Sequence, residues 1–510
     1  MRGYKMRTSN IERPTSNAEV FPSPEIFRSS TFNVQRSTFA FFFLPFCALT
    51  LFLFSGCVKP TVSPMAPGAE VPTEWVSVPM DADERIAAQD LATWWTLFED
   101  DQLTALVEQS LDANLDLATA AARVEETLAL RGVAAGERVP SLNGNAGLFE
   151  TRLNDASGGV DGSRDFRFSS VGLDASWEID LWGRIRKTVQ AADASAQASL
   201  EDFRGVKASI TAQVVTRYVS LRELQLRETL AKENITRQQE TLELTKGRFD
   251  AGLVPQLDVN QAKLNLARTE AILPQLQQQQ AETLRALEIL VGQVPGALAE
   301  TLSASADVPA PDPATLQDLP ANVIRRRPDL RSSEQQVLAA AARVGVARAD
   351  LLPRISLSGS FAWEARDGND LFSGDSLGYS IGPSLLMPLF QGGRLRSQLD
   401  AAQSRAVQAE LQYRQQVLEA LGEVENALTA YQQEKARSEK LTAGVEAAQS
   451  TVVQVRSLYE NGLVTFLNVL DAERNLAAVQ DQAAASLGQT SRNLASVYRA
   501  FGGGWESDTK

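Results

Sequence analysis

The apolar positions of this chain change period as the sequence is read. From Asp90 to Glu137 they recur at helical spacing, at Leu103, Leu106, Val107, Leu111, Leu115 and Leu117, before an Ala-rich stretch that Pro140 ends. That spacing predicts helix. The period then falls to two. Val171, Leu173, Ala175, Trp177 and Ile179 alternate with Ser170, Gly172, Asp174, Ser176 and Glu178. Ile355, Leu357, Gly359, Phe361 and Trp363 alternate in the same way with Ser356, Ser358, Ser360, Ala362 and Glu364. Leu142–Phe149 and Tyr379–Met387 alternate more loosely. Four strands follow, at about 142–149, 168–180, 355–363 and 378–390, joined pairwise by long polar loops rich in Gly and Asp. After each strand pair comes a proline-free run, 67 residues from Ile185 to Ala251 and 68 from Arg394 to Asn461, rich in good helix formers. At 1.5 Å per residue each run spans roughly 100 Å as continuous helix. Return arms of 39 residues (Leu253–Val291) and 38 residues (Val464–Phe501) follow, and Pro274 predicts a kink in the first alone.

The two strand pairs and the two long runs belong to one repeat. "GLVPQLDV" at Gly252 and "GLVTFLNV" at Gly462 lie 210 residues apart, and Arg248–Ala267 matches Leu458–Ala477 at nine of twenty positions. Upstream, "LWGRIR" at Leu181 answers "LFQGGRLR" at Leu389 after a two-residue insertion. Downstream, Gly292 answers Gly502. A unit of about 210 residues is therefore duplicated, far longer than a solenoid repeat. Gly252 and Gly462 sit where a helix must end and the chain reverse, a place suited to a residue that accepts positive φ. The expected division is 1–56 signal peptide, 57–90 tether, 91–300 first repeat and 301–510 second repeat.

Composition removes several functions. The chain has no histidine, which excludes His-based triads and His metal sites. With 49 Lys+Arg against 63 Asp+Glu it is acidic, which argues against nucleic acid as a partner. No phosphate loop, metal cluster or nucleophile constellation is legible, so neither a cofactor nor enzymatic activity is expected. Near the N-terminus, basic Arg28 and Arg36 precede the apolar run Phe39–Phe54 and then "SGC", the layout of a secretory signal too short to span a bilayer. "FSGC" is similar to the lipobox of bacterial lipoproteins and makes Cys57 the lipidated first residue of the mature chain. Cleavage there leaves 43 basic and 60 acidic residues, a net charge of −17. Residues 58–80, rich in Pro, Ser and Val, read as an extended tether.

Alternating strands of this length fit either a half-buried soluble hairpin or a membrane barrel. In lipid, four strands cannot close, and an open edge would leave backbone groups unpaired at several kcal/mol each. Strands would then be pooled between copies of the chain, with eight from two chains or twelve from three. The sheet argument allows either number.

The segment Leu316–Ser360 ("LQDLPANVIRRRPDL…"), the paired "GLV" tips, "LFQGGRLR", "LDAERNL" and "FGGGW" together resemble the TolC/OprM-type outer-membrane factors, in their lipoprotein branch. The resemblance covers nearly all of the mature chain. It implies a homotrimer: twelve strands forming an outer-membrane barrel, continued by a long periplasmic α-helical barrel. It further implies an exit duct for an inner-membrane pump, proton-driven or ABC, joined through a periplasmic adaptor protein. Carried over by position, Leu467 and Asp471 fall in the resting constriction, and Asp258 and Tyr459 form a hydrogen-bonded latch. Three copies of Asp471 about 7 Å apart would repel by roughly 2 kcal/mol per pair at an effective dielectric of 20. An arginine found in some relatives two residues after the second tip glycine is Val464 here. Gly252, Leu253, Gly462 and Leu463 match positions where adaptor hairpins dock. Arg325–Arg327 reads as a charge run that pairs with the acidic equator.

Small-molecule efflux is the leading expectation. A duct for protein secretion by an ABC exporter and a lipid-tethered periplasmic coiled-coil scaffold are the rivals. The scaffold leaves the four alternating strands unexplained.

Overall fold

The computed structural model describes residues 72, 75, 91–152, 165–310, 320–366 and 368–505. Cys57 and most of the expected tether lie outside them. So do residues 153–164 in the first strand-to-strand loop.

Asp100 caps helix α1 (Asp101–Ala113), its carboxylate accepting from Leu103 N. The single long helix expected over 90–137 is two helices, and Asn114 divides them. Its side chain caps α2 (Leu115–Gly136) by accepting from the Asp116 and Leu117 amides, while its Nδ2 donates to Leu290 O at 2.8 Å. Leu115, expected on the apolar stripe, is exposed in the protomer as a consequence.

The strands are β1 (Ser141–Arg152), β2 (Asp165–Ile179), β3 (Arg354–Ala365) and β4 (Leu377–Leu386). They form one antiparallel sheet in the order β1-β2-β3-β4. The register aligns Leu142, Ala175, Gly359 and Ile381 in one row, and Leu173, Phe361 and Tyr379 in another. Period-2 alternation then puts Val171, Trp177, Leu357 and Leu385 on that same apolar face. The opposite face carries Asn143, Asp174, Ser176, Ser358 and Ser380, with Ser360 and Ser380 hydrogen-bonded across β3 and β4 at 2.9 Å. β1 and β2 run further than expected because pairing continues to Arg152↔Asp165. β4 stops at Leu386, short of 390, where Pro388 and the positive-φ pair Gly392–Gly393 redirect the chain.

The long runs are single helices of 67 residues each, α3 (Arg184–Asp250) and α7 (Arg394–Glu460), after left-handed Gly183 and Gly393. At 1.5 Å rise each is about 100 Å long. The first return arm is broken into α4 (Gln256–Glu270) and α5 (Ile272–Leu290). The break falls at Ala271, as Pro274 dictates: it has no N–H for the Glu270 carbonyl. The second return arm, α8 (Phe466–Ala500), is unbroken. Helix α6 (Pro328–Ala349) packs against α3 and α7, so α2, α3, α6 and α7 lie side by side in that order.

The main core lies mid-chain along α3, where α1, α5 and the end of α8 converge. Trp94 stacks on Tyr498 at 5.2 Å and 13°, surrounded by Phe98, Val107, Val215, Leu287 and Phe501. Arg327 of the charge run pairs with Asp329 and Glu423 at 2.8 Å each and donates to Ala500 O, in keeping with a structural role. Fully buried Arg222 has no carboxylate among its described partners. It bonds Gln225, Gln102 and Ala304 O and lies 4.9 Å from the Tyr218 ring centre.

Towards the tips the seam between α3 and α8 is polar. Arg492 and Arg227 both reach Glu223, Arg227 also holds Asp481 at 2.7 Å, and Asn234 donates to Gln480. Gly488 permits this close approach, since a Cβ there would lie 2.5 Å from Glu223 Oε2 and 2.9 Å from its Cβ. Gly488→Val is expected to destabilise the protein by about 1–3 kcal/mol through overpacking, read as a lower thermal unfolding temperature.

Candidate functional site

The two hairpin tips end their long helices with one geometry. Gly252 and Gly462 both have φ of 72°. At the first tip Leu253 N donates to Arg248 O and Gly252 N to Phe249 O; at the second Leu463 N donates to Leu458 O and Gly462 N to Tyr459 O. This doubly bonded C-cap satisfies the last carbonyls and requires a left-handed residue, hence glycine. It leaves Leu253 and Leu463 outside the turn, 66% and 71% exposed. Apolar side chains held in water on a rigid turn are suited to a partner helix.

Leu467 and Asp471 stand one turn apart near the start of α8, both exposed in the protomer. Asp258 lies in the first turn of α4 and is half-buried, and desolvation raises its carboxyl. Tyr459 is 2% exposed, in a cluster with Leu242, Val259, Phe466, Val469 and Leu470. The expected Asp258–Tyr459 hydrogen bond is not formed: the Tyr459 hydroxyl has no hydrogen-bond partner in the protomer. The ring is instead drawn into the cluster, 5.8 Å from Phe466, with the Arg248 guanidinium 4.8 Å from its centre. Burial is the first cause that pushes the phenol up; the Asp258 charge adds to it, and the Arg248 charge opposes it.

Arg248 is the residue that the sequence reading missed. From the end of α3 it reaches across to α7, its Nη1 donating to Tyr459 O at 2.8 Å and Glu460 O at 2.9 Å. A cation at a helix C-terminus meets the negative end of the dipole; here it bonds the Glu460 carbonyl and shares that of Tyr459 with Gly462 N. The signal was in the repeat: where Arg248 stands, the second copy has Leu458. The crosslink is therefore one-way, from the first tip to the second. Behind it, buried Glu473 accepts from Thr241 at 2.5 Å and Asn265 at 3.4 Å, and burial raises its carboxyl against opposition from Thr241, Arg456 and Arg237.

A sheet with one apolar and one polar face, open at both edges, continued by helices of about 100 Å that end in exposed apolar turns, defines an oligomeric membrane channel subunit with a helical extension. The family model described as "Outer membrane efflux protein" matches residues 106–293 and 319–503, and the chain belongs to that family. It is 30% identical to nodulation protein T of Rhizobium leguminosarum bv. trifolii over 91% of this chain and 98% of that protein. It is 32% identical to the pyoverdine export outer membrane protein OpmQ of Pseudomonas aeruginosa, over 89% of this chain and 96% of that one. Among solved structures, the outer-membrane channel OprN superposes with a TM-score of 0.79 at 35% identity, covering 87% of this chain and 99% of that one. CusC superposes with a TM-score of 0.73 at 27% identity, over 86% and 100% of the two chains. The fold class is thus that of the trimeric efflux channels, mainly α with a β-barrel, placed in the outer membrane and extending into the periplasm.

Two outcomes test the tip geometry. Arg248→Leu is expected to speed hydrogen exchange at the Gly462 and Leu463 amides roughly tenfold, the loss of about 1.5 kcal/mol for bonds from a charged donor. Glu473 governs a pH dependence. Because burial raises its carboxyl above the ordinary 4.5, its protonation favours the folded hairpins; that contribution is complete below about pH 4.5 and is lost as pH rises through the raised value. Glu473→Gln is expected to flatten the fall in unfolding temperature across that window.

Proposed function

We propose that this chain is the outer-membrane exit duct of a tripartite efflux system. Three copies pool twelve strands into one barrel, and the long helices carry the tunnel through the periplasm. The duct passively conducts small molecules delivered by an inner-membrane pump through a periplasmic adaptor. The observation that carries this reading is the sheet: among the described residues the outer edges of β1 and β4 are unpaired, and only closure with further copies satisfies them in lipid. Relatives named for export of pyoverdine and efflux of toluene and cations support small-molecule cargo over protein secretion. The two repeats, 91–300 and 301–510, then give the tunnel its paired hairpins.

At the periplasmic end, Leu467 and Asp471 from three chains form the constriction. Gly252, Leu253, Gly462 and Leu463 receive the adaptor. Asp258 and Tyr459 support the gate from within the protomer, Tyr459 as the buried anchor that Arg248 clamps. Cys57 carries the lipid that holds the N-terminus to the membrane; stable anchoring of this kind takes two or more acyl chains.

Heating is the first test. Protein extracted in mild detergent from outer membranes is expected to run at about three times the 55.4 kDa chain mass, less the cleaved signal, and to collapse to monomer on boiling. A monomer without heat resistance would leave the tethered scaffold as the better reading. In planar bilayers Asp471→Ala is expected to weaken cation preference and, with the mutual repulsion of the ring relieved, to lower resting conductance. Unchanged ion selectivity would remove Asp471 from the constriction.

A further inference from the structure

We propose that the helix-side rim of the barrel carries a cationic collar that binds anionic phospholipid headgroups, built from Arg138, Arg186, Arg348 and Arg396. The four sit at the four strand–helix junctions: just past α2, in the first turn of α3, in the last turn of α6 and in the first turn of α7.

Their direction follows from helix geometry. One side of the α2–α3–α6–α7 layer is a groove of about 670 Å³, lined on α3 by Thr188 and Ser195, on α6 by Arg343 and Val346, and on α7 by Gln398 and Arg405. This is the side of the sheet's polar face. Arg184, one turn before Thr188, bonds Glu178 at 2.8 Å, and Glu178 belongs to the polar row of β2. Arg186, Arg348 and Arg396 each stand two residues from a groove-lining position, about 200° round the helix. They therefore point away from the tunnel, on the side of the apolar sheet face. Arg138 lies there too: its carbonyl accepts from Trp177 Nε1 at 3.0 Å, and Trp177 belongs to the apolar row.

The charge on this side is largely uncompensated. Arg186 reaches Asp180 at 3.2 Å, whereas Arg138, Arg348 and Arg396 have no carboxylate partner among the described residues. The next acid along this side of α7, Asp400, lies a turn further from the sheet. A chain of net charge −14 thus gathers unpaired arginines at one level. Between them and the apolar sheet face stand exposed Leu181, Trp182, Leu389 (83%) and Phe390 (89%), with Trp182 Nε1 anchored on Pro353 O. An apolar band edged by aromatic residues and then by arginine matches the profile of acyl chain, interface and phosphate. Both copies of the repeated motif, "LWGRIR" and "LFQGGRLR", supply the same pair of features. That accounts for a repeat which the tip geometry leaves unexplained.

The inference rests on the outer-membrane placement of the sheet and is independent of the gate. The full-length oligomer, purified in neutral detergent, is titrated with phosphatidylglycerol or phosphatidylcholine, and retained phospholipid is counted after gel filtration. Phosphatidylglycerol is expected to be retained preferentially, with loss in high salt and no displacement by inorganic phosphate. The triple variant R138Q/R348Q/R396Q is expected to weaken its retention by about fivefold for each arginine removed. The tunnel-side pair R343Q/R405Q is expected to leave it unchanged. The charge-keeping triple variant R138K/R348K/R396K retains the preference, and it serves as the test should the glutamine variant fail to assemble. Equal retention of the two lipids, full retention by the glutamine triple variant, equal loss in the tunnel-side pair, loss of preference in the lysine variant, or displacement by inorganic phosphate would each overturn the proposal.

Discussion

The backbone of β1 and β4 sets the terms for everything else in this molecule. Among the described residues each presents one unpaired row of N–H and C=O groups, and in lipid each unpaired group costs several kcal/mol. A water-facing sheet could blunt such edges with charge or proline, but the lipid-facing rows here are apolar from Leu142 to Leu385. The two edges are different strands, so closure is heterologous: β4 of one copy meets β1 of the next, which builds a ring. The helices inherit that symmetry. The layer α2–α3–α6–α7 must be curved by the ring it continues, and its groove side becomes the wall of a tunnel.

The distribution of polar groups along α3 follows from the same constraint. Midway along its length α3 is covered by large apolar groups such as Val215 and Val219, and the core there is fixed. Further out it meets α8 through Glu223, Asn234 and Thr241, all buried. Buried polar seams of this kind hold register only while each member is satisfied. Arg492, Arg227, Gln480 and Glu473 supply those partners from α3 and the facing helix. The stretch between the mid-helix core and the apolar cluster at the tips thus depends on bonds that can be exchanged for water.

Much of this was legible in residue patterns. Period-2 alternation located all four strands because one face had to be apolar and the other wet. Proline-free runs and repeated glycines located both long helices and both tips, and Pro274 marked the break at Ala271. What escaped had physical reasons. Asn114 reads as an ordinary helical residue until its amide is seen holding Leu290 O, a contact between segments 176 residues apart. The Tyr459 partner was misassigned because a positional match carries residue identity but not the direction of a ring. The ring turned inward to Phe466, and the nearby cation, not Asp258, took the contact. Arg248 could have been found by asking where two otherwise similar tips differ.

That difference bears on how a gate of this design would move. The first hairpin is broken at Ala271 and its tip reaches out; the second is continuous and its tip is held. Bonds from a charged donor to two carbonyls contribute about 1.5–3 kcal/mol, and the cation–ring contact adds to them. A closed state favoured by about 2.7 kcal/mol is populated about 99 to 1, and a partner that prefers the open state by about 5.5 kcal/mol inverts that ratio. The Arg248 clamp is of the size needed to keep the second tip in register at rest. Under the proposed function it is also small enough for one docking event at Gly462 and Leu463 to undo. Displacing either tip alone breaks the clamp, while a motion of both tips together leaves it intact. Two repeats of one design are thereby made unequal at their tips by a single arginine, which ties the first tip to the second and has no counterpart at Leu458.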